Sequence, residues 1–297
     1  MAGDLDGRAA IVTGAGQGIG RAVALALAAA GARVVVNDIG RGEDGRPTAE
    51  RVVAEIEDSG GHAVASLESV TDFEAAGRIV ATALECFGSA DILINNAGIA
   101  ARGSILEVDA AEFARVASVH IEGSFNCTRH VVEPMVERRW GRIVNLVSRA
   151  GITGMPGTIA YAVGKGAVLG LINGASRELG EHGITVNGVC PSSTRTEMVE
   201  SAIETLRQGD AAAQARADSL LSQMQTPDQV ARPIVALCTE EAGAVNGQVF
   251  LLEHGRVGLF QPLTVTQHVT SESDWSASAL GEAIASLELH GLSDAYS

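Results

Sequence analysis

Residues 9–31 read AAIVTGAGQGIGRAVALALAAAG: an apolar run, a glycine-rich turn and an alanine-rich helical stretch, with no break between them. The run Ala9–Thr13 is apolar almost throughout, as expected of a strand covered on both faces. A strand that turns on glycines straight into a helix leaves one compact continuation. The helix packs back across the sheet, and the next run, Arg33–Asn37, returns parallel to the first by a right-handed crossover.

The rhythm continues along most of the chain. Further candidate strands are His62–Ser66, Asp91–Asn95, Gly141–Leu146, Thr185–Val189 and Gln248–Leu252. Helical patterns near 18–30, 48–59, 72–87, 109–138, 157–181 and 227–238 alternate with the strands. This predicts an α/β fold over residues 1–254: a single doubly wound domain with a seven-stranded parallel sheet and helices on both faces. A chain of 297 residues, 46% hydrophobic, can bury such a core, and 35 glycines with 3% aromatics suit tight turns and close helix packing. Two regions break the rhythm. Residues 194–225 lack a strong apolar face and lie between a strand and the next helix, where an insertion is expected to act as a substrate lid. Residues 255–297 hold the apolar patches GLFQPLTV and ALGEAIASL around Trp275, and are expected to form a tail packed on its own or a neighbouring subunit.

A net charge of −15 argues against nucleic-acid or anionic-membrane partners, which need basic faces. Cys86, Cys127, Cys190 and Cys238 are scattered and read as reduced thiols; the seven histidines show no metal-ligand spacing, so no metal is expected. The opening MAGDLDGRAA lacks a signal-peptide layout, and no apolar run reaches the roughly 18 residues of a membrane span. The expectation is a cytoplasmic protein.

The turn after the first strand does not match G-x-G-x-x-G, because Ile19 stands where the third glycine belongs. It matches T-G-x-x-x-G-x-G through Thr13, Gly14, Gly18 and Gly20. Glycines there let the backbone approach a pyrophosphate, which sits at the positive end of the following helix. Asp38 ends the second strand, eighteen residues beyond Gly20. A carboxylate at that place accepts both hydroxyls of an adenosine ribose and repels a 2′-phosphate, so NAD is favoured; the nearby Arg41 is the feature that would serve NADP instead. The fourth strand runs into NNAG, small residues and amides suited to a floor beneath such a cofactor.

The chain has one lysine against twenty arginines, and that lysine, Lys165, follows Tyr161 by four residues in AYAVGKGAVLG. On a helix the two side chains share a face. Ser148 stands thirteen residues before Tyr161, at the end of the fifth strand. A free phenol is a poor base at neutral pH, and an ammonium nearby favours the phenolate. The hydroxyl of Ser148 can hold a substrate oxygen while Tyr161 exchanges its proton. A compact, rotatable ammonium fits ribose hydroxyls better than a planar guanidinium does.

Taken together, TGAGQGIG, NNAG, Ser148 and YAVGK resemble, in order and spacing over residues 6–252, the short-chain dehydrogenase/reductase family. That resemblance implies a Rossmann-type domain with strand order 3-2-1-4-5-6-7, a Ser148–Tyr161–Lys165 triad, a small-molecule substrate and a homotetramer or homodimer built on the helices near 109–138 and 157–181. It also implies cofactor contacts from Gly14, Gly18, Ile19, Gly20, Asp38, Ser69, Val70, Asn96, Thr194 and Thr196, besides Tyr161 and Lys165.

Some positions depart from the family pattern. His120, in VHIEGSF, replaces an asparagine that supports a proton-relay water; its ring either relays protons itself or leaves that to backbone and water. Pro191–Ser192 and LEHG replace the usual P-G and V-D-G-G. VVVNDIG, ESV, VHIEGSF and GQVF are similar to (3R)-hydroxyacyl-CoA dehydrogenase domains of multifunctional β-oxidation enzymes and their bacterial homologues. The resemblance therefore implies oxidation of a secondary alcohol on a bulky apolar skeleton, 3-hydroxyacyl-CoA first and a hydroxysteroid or other cyclic alcohol second. A non-catalytic NAD-binding sensor or scaffold is the reading from another class. Arg149 and Arg195 either meet an anionic substrate group or form surface salt bridges.

Overall fold

The computed structural model describes residues 3–196, 199–200, 203, 207–208, 210–270 and 276–288. It divides into a large unit, Met1–Leu259, and a small one, Phe260–Ser297.

The large unit alternates as the apolar runs require: β1 (Ala9–Thr13), α1 (Gly18–Ala29), β2 (Arg33–Asn37), α2 (Thr48–Asp58), β3 (His62–Ser66), α3 (Phe73–Phe87) and β4 (Ile92–Asn95). Next come α4 (Ala110–Ala117), a π-helical turn (Ser118–Glu122), α5 (Gly123–Arg138), β5 (Gly141–Leu146), the short α6 (Arg149–Ile152) and α7 (Ile159–Leu179). The unit closes with β6 (Ile184–Pro191), α8 (Ala211–Ser222), α9 (Pro227–Ala236), β7 (Val249–Glu253) and β8 (Arg256–Leu259). The sheet order is β3-β2-β1-β4-β5-β6-β7-β8. Helices α2, α1 and α9 cover one face, and α3, α5 and α7 the other.

Seven strands are parallel, as expected, but the sheet has eight. The extra strand pairs antiparallel with β7, Phe250 opposite Leu259 and Glu253 opposite Arg256. The cause is local: His254 and Gly255 both adopt positive φ, 46° and 80°, as a two-residue turn matched to strand twist demands. The sheet domain thus continues past residue 254, through Leu259. Residues 194–225, expected as a lid without a strong apolar face, contain α8, whose first turn is capped by Asp210 accepting from the Ala213 N–H at 2.9 Å.

The core lies where α1 and α9 meet the sheet. Val12, Leu27, Ile56, Ile92 and Ile94 are all sealed from solvent there, each stabilising the fold by about 1.5–3 kcal/mol on burial. Strand order reverses between β1 and β4, so the loops leaving their C-terminal ends diverge and open a crevice, the place where such sheets bind ligands.

In the small unit, Ser276 caps the helix α10 (Ala277–Ala285), and the Gln267 side chain bonds the backbone of Glu288 through both its oxygen and its nitrogen. No residue of α10 is buried. Trp275, centre of the apolar patches noted above, lies outside the described residues.

Candidate active site

The glycine turn is built as the motif requires. Gly14 and Gly18 have φ of 62° and 55°, a region closed to most side chains. A Cβ on Gly20 would stand 2.2 Å from the Gly14 carbonyl oxygen, and one on Gly14 would stand 2.8 Å from Ala97 Cα. Two side chains lock the turn to β4. Asn96 Nδ2 donates to the carbonyls of Thr13 (2.8 Å) and Gly14 (2.9 Å), while Thr13 Oγ1 accepts from the N–H groups of Asn96 and Ala97. Asn96 is thus first a clamp on the turn. Thr13 has a part that sequence reasoning missed, although it precedes the first motif glycine.

Beside this turn lies a cavity of about 340 Å³, walled by Gly14, Gly18, Ile19, Gly20, Asp38, Ser69, Val70, Asn96 and Thr196. Asp38 is held from two sides: Oδ2 accepts from the Gly16 N–H at 2.8 Å and Oδ1 from the Gly40 N–H at 2.7 Å. Arg41 does not stand over it, since its Nη1 donates to the Gly45 carbonyl at 2.9 Å. The narrow glycine cradle, the fixed carboxylate and the cavity between them fit a dinucleotide.

A second cavity, about 600 Å³, adjoins the first through Ile19, Asn96, Gly98, Ile99 and Thr196. Ser148, Tyr161, Lys165 and Thr194 line it. Ser148 leaves the end of β5 and caps α6, accepting from the Ala150 N–H at 3.3 Å; α6 itself gives no periodic signal in the sequence. Tyr161 sits in the first turn of α7 and lines this cavity together with Ser148. One turn on, Lys165 is 5% exposed, and its Nζ donates to the Leu146 carbonyl at 2.7 Å and stands 5.9 Å from the Tyr161 ring centre.

Electrostatics differ in part from expectation. Burial pushes the Tyr161 phenol above its usual value, and the neighbouring Ser148 side chain pulls it part of the way back. Burial lowers Lys165 to about 8, because a cation without water is penalised. The same cause, with the Lys165 charge beside it, lowers His120 to about 4. His120 is a neutral ring at pH 7.

The π-turn decides where His120 goes. Its ring fits between two glycines: a Cβ on Gly98 would meet its Cε1 at 2.7 Å, and one on Gly164 its Cβ at 3.0 Å. It stands edge-on to Tyr161, ring centres 5.3 Å apart. Nε2 faces both the Ile99 carbonyl (2.9 Å) and the Ile99 N–H (3.2 Å), while Nδ1 is buried with no partner among the described residues. A single ring nitrogen serves one of those backbone groups at a time, so either tautomer fits.

The two flagged arginines both form ion pairs. Arg149 reaches Glu253 at 3.2 Å, and Arg195 pairs with Glu200. Cys190, the last residue but one of β6, is held as a thiol, pushed up to about 11 mainly by burial. Among the described residues no group of three or more His, Cys, Asp or Glu could hold a metal ion, and no helix is long and apolar enough to cross a membrane.

The family model for short chain dehydrogenases matches residues 8–207. The chain belongs to the short-chain dehydrogenase family. Like other members, this short-chain dehydrogenase is an oxidoreductase acting on CH–OH and keto groups with a nicotinamide cofactor. Its 3-oxoacyl-[acyl-carrier-protein] reductase relative from Synechocystis sp. is 36% identical over 85% of this chain and 98% of that one. The peroxisomal multifunctional enzyme type 2 of Mus musculus is also 36% identical over 85% of this chain, which spans 32% of that protein. A crystal structure of a short chain dehydrogenase from Mycobacterium avium superposes with a TM-score of 0.81, at 37% identity and 95% coverage of both chains.

Proposed function

We propose that this dehydrogenase uses NAD to interconvert a secondary alcohol and a ketone on a bulky apolar substrate, 3-hydroxyacyl-CoA being the first choice. The observation that carries the reading is the gathering of Ser148, Tyr161 and, one turn behind it, Lys165 on the wall of one cavity that adjoins a glycine cradle. The nicotinamide, when bound, supplies or takes the hydride. Ser148 holds the substrate oxygen, and Tyr161 gives or takes its proton. Lys165, a cation behind the phenol, favours by its charge the phenolate that burial opposes. Gly14, Gly18, Ile19 and Gly20 take the pyrophosphate side, Asp38 the adenosine ribose, Ser69 and Val70 the adenine side, and Asn96, Thr194 and Thr196 the nicotinamide side.

Asp38, fixed by two N–H donors at the cavity wall, supports NAD, as does Arg41 turned away to Gly45. The acyl substrate draws on the reductase and multifunctional-enzyme relatives and on a wall rich in Ile99, Ala100, Ala101, Met155 and Pro156. Residues 194–225, insofar as they are described, serve as a lid. Exposed Phe113, Phe125 and Val163 on α4, α5 and α7 support a homodimer or homotetramer through those helices.

A panel of 3-hydroxyacyl-CoA, hydroxysteroid and cyclic alcohols with NAD and NADP tests substrate and cofactor together. The expected result is NADH formation with the acyl substrate and higher kcat/KM for NAD; preference for NADP would remove the Asp38 argument. Tyr161→Phe is expected to lower kcat by about 10²–10⁴ with NADH still bound. A variant that keeps full turnover would instead place the chemistry elsewhere.

A further inference from the structure

Three arginines lie in or directly beside, along the chain, the residues that line the larger cavity, and they are not equivalent. Arg149 is neutralised by Glu253 and Arg195 by Glu200. Arg102, which lines the cavity and is exposed, has neither a hydrogen bond nor an ion pair among the described residues. The carboxylate nearest in its own loop is already engaged, Glu107 accepting from both the N–H and the hydroxyl of Ser104. Among the described residues the cavity wall carries no carboxylate and two cations, Lys165 and Arg102. Lys165 is buried against the Leu146 carbonyl. Arg102 is therefore the cation left over for a ligand, in a chain whose net charge of −15 would otherwise repel an anion.

Its position is fixed relative to the reacting groups. Ala101, directly before it, is buried against Ala160, directly before Tyr161. Gly103, directly after it, donates its N–H to the Gly157 carbonyl at 2.9 Å and accepts from the Ile159 N–H. The backbone on both sides of Arg102 is thus tied to the start of α7. A planar guanidinium carried on that backbone matches a carboxylate or phosphate with two parallel donors. The wall that carries both Arg102 and Ser148 also includes the apolar Ile99, Ala100, Ala101, Met155 and Pro156.

We propose that Arg102 selects substrates bearing an anionic group, carboxylate or phosphate, at the far end of an apolar skeleton from the carbinol. This rests on the reading of the site as a secondary-alcohol dehydrogenase and narrows its substrate class.

The test compares 11-hydroxydodecanoate, a secondary alcohol with its carboxylate at the far end of an apolar chain, its neutral methyl ester and 3-hydroxybutyryl-CoA on the wild type, Arg102→Gln and Arg102→Lys. In Arg102→Gln the ratio of kcat/KM for an anionic alcohol over the ester should fall about tenfold or more, mainly through KM, with part of the loss restored in Arg102→Lys. Loss confined to the CoA thioester assigns a CoA phosphate, and loss confined to the free acid assigns a carboxylate. A ratio within twofold of the wild type for both anions overturns the proposal. Calorimetric titration with the same compounds separates the two layers of the argument. Binding of an anion that weakens in Arg102→Gln without wild-type turnover would fault the dehydrogenase reading alone, whereas no anion binding to the wild type would fault the role of Arg102.

Discussion

The cradle around β1 and the rim around the larger cavity face each other, yet they are built on opposite plans. In the cradle, glycines, Thr13 and Asn96 satisfy one another at close range, and a Cβ at Gly20 or Gly14 has no room. In the two loops that supply Arg102 and Met155 to the rim, Gly154 and Gly157 have nothing within 4 Å of a Cβ, and Ile105 and Leu106 are 76% and 93% exposed. The rim is held at its base by the backbone bridge between Gly103 and Thr158. One region specifies a constant partner by leaving the chain no alternatives; the other leaves side chains free to meet a variable one.

Substitutions of matched kind should expose that contrast, most strongly at glycines. Gly20→Val should abolish measurable NADH binding by fluorescence titration, a loss of more than about 100-fold, because overpacking so tight a site costs 1–3 kcal/mol or more and displaces the turn itself. Gly157→Ala, at φ 73° in open space, should cost only about 1 kcal/mol of stability by denaturant titration. Equal effects would dissolve the distinction.

His120 stands at the seam and gives a pH signature. Its folded value of about 4 lies below the ordinary 6.5, so between those values the unfolded chain binds the proton more readily. Stability should therefore fall as pH drops from 6.5 towards 4, by up to about 3 kcal/mol from this group. Urea titrations across that range should show a flatter profile for His120→Asn. A profile as steep as the wild type's would assign the acid sensitivity to other groups. Leu106→Ser should have the smallest effect: stability within about 0.5 kcal/mol, with any change confined to KM for long apolar alcohols.

The same contrast explains what the sequence made legible. Strands β1 to β7 fall within two residues of their apolar runs, since a strand buried on both faces must be written in apolar residues. The Ser148, Tyr161 and Lys165 spacing was legible because one helix and one strand end carry all three. Strand β8 escaped notice because LEHG looks like an altered substrate-side motif, while its meaning is conformational: His254 and Gly255 adopt the backbone of a hairpin. The lock between Thr13 and Asn96 spans 83 residues, and no local pattern announces such a pairing. Arg102 gave no signal either, since its distinction from Arg149 and Arg195 lies in which carboxylates stand near each.

The π-turn at Ser118–Glu122 has a consequence for how this site can vary over time. A π-turn carries one residue more than an α-helical path between the same ends. Loss of a single codon in that stretch therefore lets both flanking helices persist while the residue beside Tyr161 and Lys165 is exchanged for its neighbour in the chain. Lineages that gain or lose that codon can replace a side chain next to the reacting groups without a single point substitution.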